Sequence, residues 1–449
     1  MTAHDPRFPY RNELAMPVIG IEAEFKAFVD DAEVIPEEYW KTPAGFIEEQ
    51  LLERTSRSLQ LPTGGAVYFD GGVVEVVTPV IEIAPQCTAR AVRSLWEQIG
   101  YVRDQFDGWE ARTGRTVRLQ GFSCHINISF ELGREERGRK RTIQKLALLL
   151  GHLLPLPVIV LAANRRSTGV GVRPRRDRIE ITLDFTPDPG LMSAATAFIV
   201  GVVREVISWP SYLLADAERR GVPLIDGLEL GKHSTRKGWI ARAHHFPRDP
   251  FRDDLDAPNW RTRDGQMTSM REIVRKTAEM FRESIRYHSD PFSDRLLFSI
   301  LRGFTPALLD LDDRPSAYED VGRSTRWGNI LPELENFRAM IDDPAKYRRA
   351  ADVQESLTPP WEGERSDRRR RDRAADRRRH TLRKSPRLAR SQYERVFLSL
   401  ARRKTITVAG QTMTPVAVKG WYHSVFRSRT GEERLLSIDQ LLKEWRMER

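Results

Sequence analysis

The sequence predicts an α+β fold, and three observations carry that expectation. Short stretches in which apolar and polar residues alternate with a period of two recur through the N-terminal part of the chain, the pattern of strands with one buried face. Between them lie longer segments whose apolar residues fall at helical spacing. At Thr358 the bulky apolar residues give out, and from Tyr393 a small mixed segment follows. The division expected is a large domain over 1–350, a basic Arg-rich linker over 351–392 and a small C-terminal α+β unit over 393–449.

Composition sets limits on class. A chain of 449 residues, 40% of them hydrophobic, can bury a large core, and a formal net charge of +10 suits anionic partners. Two cysteines, Cys87 and Cys124, exclude a disulfide framework or a multi-cysteine zinc site. The first twenty residues mix charges and prolines without an uninterrupted apolar core, so no secretory leader is expected there. The longest apolar run, Leu146 to Ala163, carries His152, Pro155 and Pro157 and reads as a buried helix leading into a short strand, not as a membrane span. A cytoplasmic protein without a membrane partner is the expectation.

Taken in order, Pro17 to Val29 (PVIGIEAEFKAFV) reads as a first strand with Ile19, Ile21, Ala23 and Phe25 on one side and Gly20, Glu22 and Glu24 on the other. Two carboxylates two residues apart repel unless a cation lies between them. Glu37 to Leu59 reads as a helical surface element. Next, LPTGGAVYFDGGVVEVVTP gives two short strands about the Asp70-Gly71-Gly72 turn, with Glu75 inside an apolar run where a carboxylate needs a partner. Pro85 to Arg112 has Val92, Leu95, Ile99, Val102 and Phe106 at helical spacing. The segment TVRLQGFSCHINISFEL reads as two short extended stretches or one bent strand, with His125, Asn127 and Ser129 sharing a face: an imidazole, an amide and a hydroxyl available to one site.

Ala163 to Pro189 (ANRRSTGVGVRPRRDRIEITLDFTPDP) places Arg178, Glu180, Thr182 and Asp184 on one strand face beside further arginines. Carboxylate oxygens suit a hard divalent cation, and planar guanidinium groups pair with phosphate oxygens. Gly190 to Ala217 returns to core helix, and the polar stretch after it, with His233, Lys237, His244 and His245, reads as a basic loop. Helices are expected around Met267 to His288 and Pro332 to Ile341. Arg368 to Arg390 is too poor in apolar residues to form a core and reads as a linker or an extended charged helix. In the last segment Ser437 and Gln440 are spaced as a capping box.

Four strands thus offer metal- or phosphate-suited groups, and at this point the sequence resembles the glutamine synthetase-like superfamily of carboxylate-amine ligases. GIEAEF looks like its opening Glu-x-Glu strand, VVEVVTP like its second glutamate strand and GFSCHINISF like its histidine strand. ANRRSTGVGVRPRRDRIEITLDFTPDP resembles its Asn-Arg loop followed by an Arg-x-Glu strand. The resemblance covers roughly the first 190 residues.

What it implies is a curved antiparallel sheet with helices on its outer face, holding ATP and two or three Mg²⁺ or Mn²⁺ ions on the concave face. Glu22, Glu24, Glu75, His125 and Glu180 are then the expected metal ligands. His125, Asn127, Ser129, Arg173 and Arg178 are expected at the nucleotide, with Arg173 and Arg178 on the transferring phosphoryl group. Thr182 and Asn127 depart from the family pattern, which bears on the substrate. The implied reaction is amide-bond formation through an acyl phosphate, on a glutamate-like acid and an amine, either small or protein-borne, by a homo-oligomer. A same-fold hydrolase or phosphotransferase remains open, as does an inactive scaffold that binds nucleic acid or an acidic protein through Arg368 to Arg390. Neither the amine nor the general base is legible.

Overall fold

The structure, a computed structural model, describes residues 14–54, 57–131, 141–233, 237–310 and 390–447. The strands that frame the site are β1 (Val18–Val29), β2 (Ala66–Asp70), β3 (Val73–Val77), β4 (Val117–Ser129), β5 (Val170–Pro174) and β6 (Arg178–Asp184). They lie in the order β5-β6-β4-β1-β3-β2, every neighbouring pair antiparallel. Short strands extend this sheet at both ends. On one side, Trp239–Ala241 pairs with β5; on the other, Leu59–Gln60 and Leu52–Arg54 lead to the C-terminal strands.

The alternation seen in the sequence sets the two faces of the sheet. Ile19, Ile21, Ala23 and Phe25 of β1, Ile126 and Ile128 of β4, and Ile179 and Ile181 of β6 are fully buried in one apolar core. Over that face lie α1 (Cys87–Thr113), α2 (Ile143–Leu153), α3 (Pro155–Ala162) and α4 (Pro189–Ser208). The Val92, Leu95, Ile99, Val102 and Phe106 stripe of α1 is buried there, and the helix stops at Gly114, whose φ of 70° is left-handed and whose N–H bonds Glu110 O at 2.9 Å. Asp188 caps α4 by accepting from Leu191 N at 2.9 Å. That helix is long and apolar enough to cross a membrane, yet 83% of its apolar window is buried inside the protein, as in a core helix.

Three segments differ from expectation. The helix expected over Gly190 to Ala217 ends at Ser208, ahead of Pro210, and a separate short helix follows at Leu214–Arg219. The run Pro155 to Ala162 is helical, joined to α2 with a bend of 55°, where a short strand was expected. Pro155 and Pro157 fall in the first turn of α3, where backbone N–H groups have no helical acceptor and proline loses nothing. Glu37 to Leu59 is mostly irregular: one helical turn at Pro36–Tyr39, a 3₁₀ turn at Pro43–Gly45, then the strands Leu52–Arg54 and Leu59–Gln60. Lys41 has a left-handed φ of 65° and Pro43 follows, so the helix cannot continue. Packing replaces it: Phe46 stacks on Phe106 at 4.0 Å, and Trp40 meets the same ring at 5.2 Å.

The C-terminal segment forms α5 (Gln392–Ala401), β7 (Gln411–Lys419), β8 (His423–Ser428), the strand Glu433–Ser437 and α6 (Ile438–Met447). The Ser437/Gln440 capping box closes in both directions, at 2.7 and 3.1 Å. This unit has its own apolar core, around Tyr393, Phe397, Met413, Phe426 and Ile438, into which Val18, Leu52 and Val80 also pack. It joins the main sheet through a parallel pairing of β7 with Leu52–Arg54 and through the buried ion pair of Arg93 with Glu394 at 2.8 Å. The helix expected at Pro332 to Ile341, and all of the Arg-rich segment except Arg390, lie outside the described residues. Arg390 itself is engaged with Glu97 at 2.7 Å and with Glu394.

Candidate active site

Residues two apart on a strand share a face, so the registers of the sheet assemble the site in three rungs. Arg173, Glu180, Asn127 and Gly20 form the first. Thr182, His125 and Glu22 form the second, and Asp184, Ser123, Glu24, Glu75 and Tyr68 the third. Most of these side chains line one cavity of about 530 Å³ on the face of the sheet away from the helices, together with Arg175, Arg178, Asp70 and Arg242.

At its acidic end, His125 Nδ1 lies 3.3 Å from Glu22 Oε2 and 3.8 Å from Glu24 Oε1. Its Nε2 lies 3.3 Å from Arg173, so in the neutral imidazole Nε2 accepts from the guanidinium and the Nδ1 proton points at Glu22. Burial alone would lower the His125 pKa, but Glu22, Glu24 and Glu180 together raise it above its ordinary value. Burial likewise opposes ionisation of Glu22, yet His125, Arg178 and Arg175 bring that carboxyl below the usual range. Glu75 goes the other way: burial, then the charges of Glu22 and Glu24, push it up to about 9, although the Tyr68 hydroxyl donates to it.

Glu22, Glu75 and His125 can each bring one ligand atom within 4.8 Å of the others. A half-buried carboxylate beside a buried one is unfavourable without positive charge between them, and the oxygen-rich donor set with one imidazole suits Mg²⁺ or Mn²⁺. The residues present therefore fit a divalent cation. Glu24, opposite Glu75 in the register, is the adjacent donor.

The basic end lies across β5 and β6. Glu180 is fully buried between Arg173, which forms an ion pair with one oxygen, and Arg175, whose Nη2 and Nε reach the other at 2.6 and 2.8 Å. In this arrangement Glu180 fixes two guanidinium groups beside the acidic cluster. Arg178 donates from Nε to Asn127 Oδ1 at 2.8 Å and from Nη1 to Asp177 at 3.2 Å. Asn127 is fully buried and serves the cavity through Arg178, not at its wall. Ser129 is turned away: its hydroxyl accepts from Val18 N at 2.7 Å and donates to Glu131. Asp184 ties down the loop after α3, accepting from Asn164 N at 3.0 Å and from Ser167 Oγ at 3.0 Å, which places Thr168 and Gly169 at the cavity wall.

Tyr68, Asp70 and Arg175 also line the cavity, although the sequence pattern does not single them out as site residues. The first had a usable signal: a two-residue turn at Gly71-Gly72 pairs Asp70 with Val73 and therefore Tyr68 with Glu75. Nothing in the chain distinguishes Arg175 from its arginine neighbours. Trp421, which covers Arg178 at 4.8 Å, comes from the far end of the sequence and carries no local signal.

Fold and site together define an α+β protein with a carboxylate–imidazole cluster set against an arginine row on one face of a mostly antiparallel sheet. No family model matches the chain, and no curated protein matches its sequence. Among solved structures, the chain is similar to the Pup ligase PafA in complex with the prokaryotic ubiquitin-like protein Pup, at 12% identity with a TM-score of 0.43, covering 96% of this chain and 93% of the other. It is similar also to PafA in complex with ADP, at 12% identity with a TM-score of 0.38, covering 88% and 90%.

Proposed function

We propose that the protein is an ATP-dependent carboxylate-amine ligase that uses Mg²⁺ or Mn²⁺ and acts on a glutamate-like acid, free or carried on a protein. The observation that supports this most is the single cavity in which a cation-suited cluster, Glu22, Glu75 and His125, faces Arg173, Arg175 and Arg178. A carboxylate is a poor electrophile, and activating it with ATP gathers negative charge from the acid and the triphosphate in one place. The site offers positive charge from arginines and, once a cation is bound by Glu22, Glu75 and His125, from both ends.

Each residue has a task in this reading. Glu22, Glu75, His125 and the adjacent Glu24 hold the cation, which when bound neutralises phosphate oxygens. Arg173 and Arg175, locked by Glu180, present donors to the transferring phosphoryl group, and Arg178 contributes a third guanidinium from the Asn127 side. Asp70, the exposed last residue of β2 at the cavity wall, is the carboxylate that would take a proton from the attacking amine.

The test follows the oxygen atoms. With heavy oxygen in the acid's carboxylate, a ligase passing through an acyl phosphate delivers one labelled oxygen to the phosphate that the amine displaces, and only when acid, amine, ATP and divalent cation are all present. Release of unlabelled phosphate, or phosphate release indifferent to the acid, would refute the reading in favour of a hydrolase or phosphotransferase.

A further inference from the structure

We infer that the tip of the C-terminal β-hairpin, Trp421 and Tyr422, is a positioning element of the phosphate site, holding Arg178 in place from behind. This rests on the function proposed above and deepens it: the C-terminal unit becomes part of the nucleotide site.

Three observations carry the inference. The guanidinium of Arg178 lies over the Trp421 ring at 4.8 Å, while its Nε is fixed by Asn127 at 2.8 Å, so the side chain is held on two sides and still lines the cavity. Asp177 is shared between the two parts of the molecule: one oxygen takes Arg178 Nη1 at 3.2 Å, and the other accepts from the Tyr422 hydroxyl. β1 makes room for the indole. Gly20 lies on the same strand face as Glu22, and a Cβ there would come within 2.8 Å of Trp421 Cζ2. Gly20 needs no unusual backbone angle, so the requirement is space alone. The hairpin is itself anchored, because Arg54 donates to Gly420 O at 3.1 Å and Val418 pairs with Arg54 in the parallel ladder.

A long arginine left in solvent loses conformational freedom when it meets a phosphate, whereas one already pressed on an aromatic face and bonded at Nε has little left to lose. Trp421 touches Arg178, not the cavity, so its effect passes through that side chain. If the indole were only packing for the C-terminal core, its loss would lower stability without reference to Arg178.

The experiment measures MgATP affinity of the full chain by calorimetric titration for the wild type, Trp421→Ala, Trp421→Phe, Arg178→Ala and the double variant. Trp421→Ala is expected to weaken binding about tenfold, the scale of a partly desolvated cation–π contact, and Trp421→Phe to restore most of it. In the Arg178→Ala background, Trp421→Ala is expected to weaken binding no further, since the two act as one unit. Tyr422→Phe, which keeps the ring and loses only the hydroxyl to Asp177, is expected to weaken binding about threefold and covers the case in which Trp421→Ala fails to fold. Unchanged affinity in Trp421→Ala or Tyr422→Phe, or equal losses from Trp421→Ala with and without Arg178, overturns the inference while leaving the proposed function standing. A wild type that binds no MgATP overturns both.

Discussion

Glu75→Gln separates a carboxylate kept for a cation from one kept for the fold. Burial and the neighbouring Glu22 and Glu24 move this carboxyl from 4.5 to about 9. At about pH 7.5 the metal-free folded protein therefore retains a proton that the unfolded chain has released, across about three pH units, and folding is disfavoured by up to about 4 kcal/mol. The sign follows from proton uptake. Between the unfolded and folded pKa values the native state binds more protons, so stability falls as pH rises through that window and levels off above about 9. Glutamine keeps an oxygen for the Tyr68 hydroxyl and has no charge to lose. In a chelator-containing buffer the variant is expected to be more stable than the wild type, by no more than about 4 kcal/mol near pH 7.5, and to lose most of this decline with pH. Adding Mg²⁺ or Mn²⁺ should reverse the order, because the cation displaces the Glu75 proton and binds more tightly as pH rises, an effect that needs the carboxylate. Urea denaturation over a pH series with and without the cation reads all of this. A variant less stable than the wild type without cation, with the same pH slope and the same response to Mg²⁺, would refute the assignment.

Two other expectations concern the rest of the structure. Arg93→Met removes one of the two arginines that face the buried Glu394 where the C-terminal unit meets α1, leaving Arg390, and should destabilise the protein by about 2 kcal/mol, with limited proteolysis attacking that unit first; wild-type resistance would show that the ion pair does not hold the unit in place. Burial pushes the Cys87 thiol up to about 11 and the Cys124 thiol well above its ordinary value, so a chromogenic disulfide reagent near neutral pH should titrate neither until the chain is unfolded; prompt reaction of the native protein would contradict their burial.

The parts legible in the sequence were those set within one strand or one helix. Alternation alone placed Glu22 with Glu24, and Arg178 with Glu180, and the apolar stripe of α1 was readable residue by residue. Which strands adjoin was not readable, because β1 pairs with β4 and β3 across long stretches of chain, and only that register brings Glu22 opposite His125 and Glu24 opposite Glu75. The same limit explains Ser129: it shares a strand face with His125, yet the start of β1 lies close enough for Val18 N to claim its hydroxyl. Glu180 was expected beside the cation, and its place between Arg173 and Arg175 depends on the β5–β6 register. The misread segments failed for a local reason. Proline starts a helix as well as it ends one, and around Trp40 and Phe46 aromatic packing displaced a helix that composition favoured.

The decisive measurement for ligase activity is Mg²⁺-dependent conversion of ATP to ADP and phosphate, with glutamate and other acids offered with and without a panel of amines, beside a Glu22→Gln control. Turnover is expected to require both acid and amine, to yield one amide per ATP and to vanish in the control. ATP consumption indifferent to acid or amine, or undiminished in the control, would contradict ligase activity.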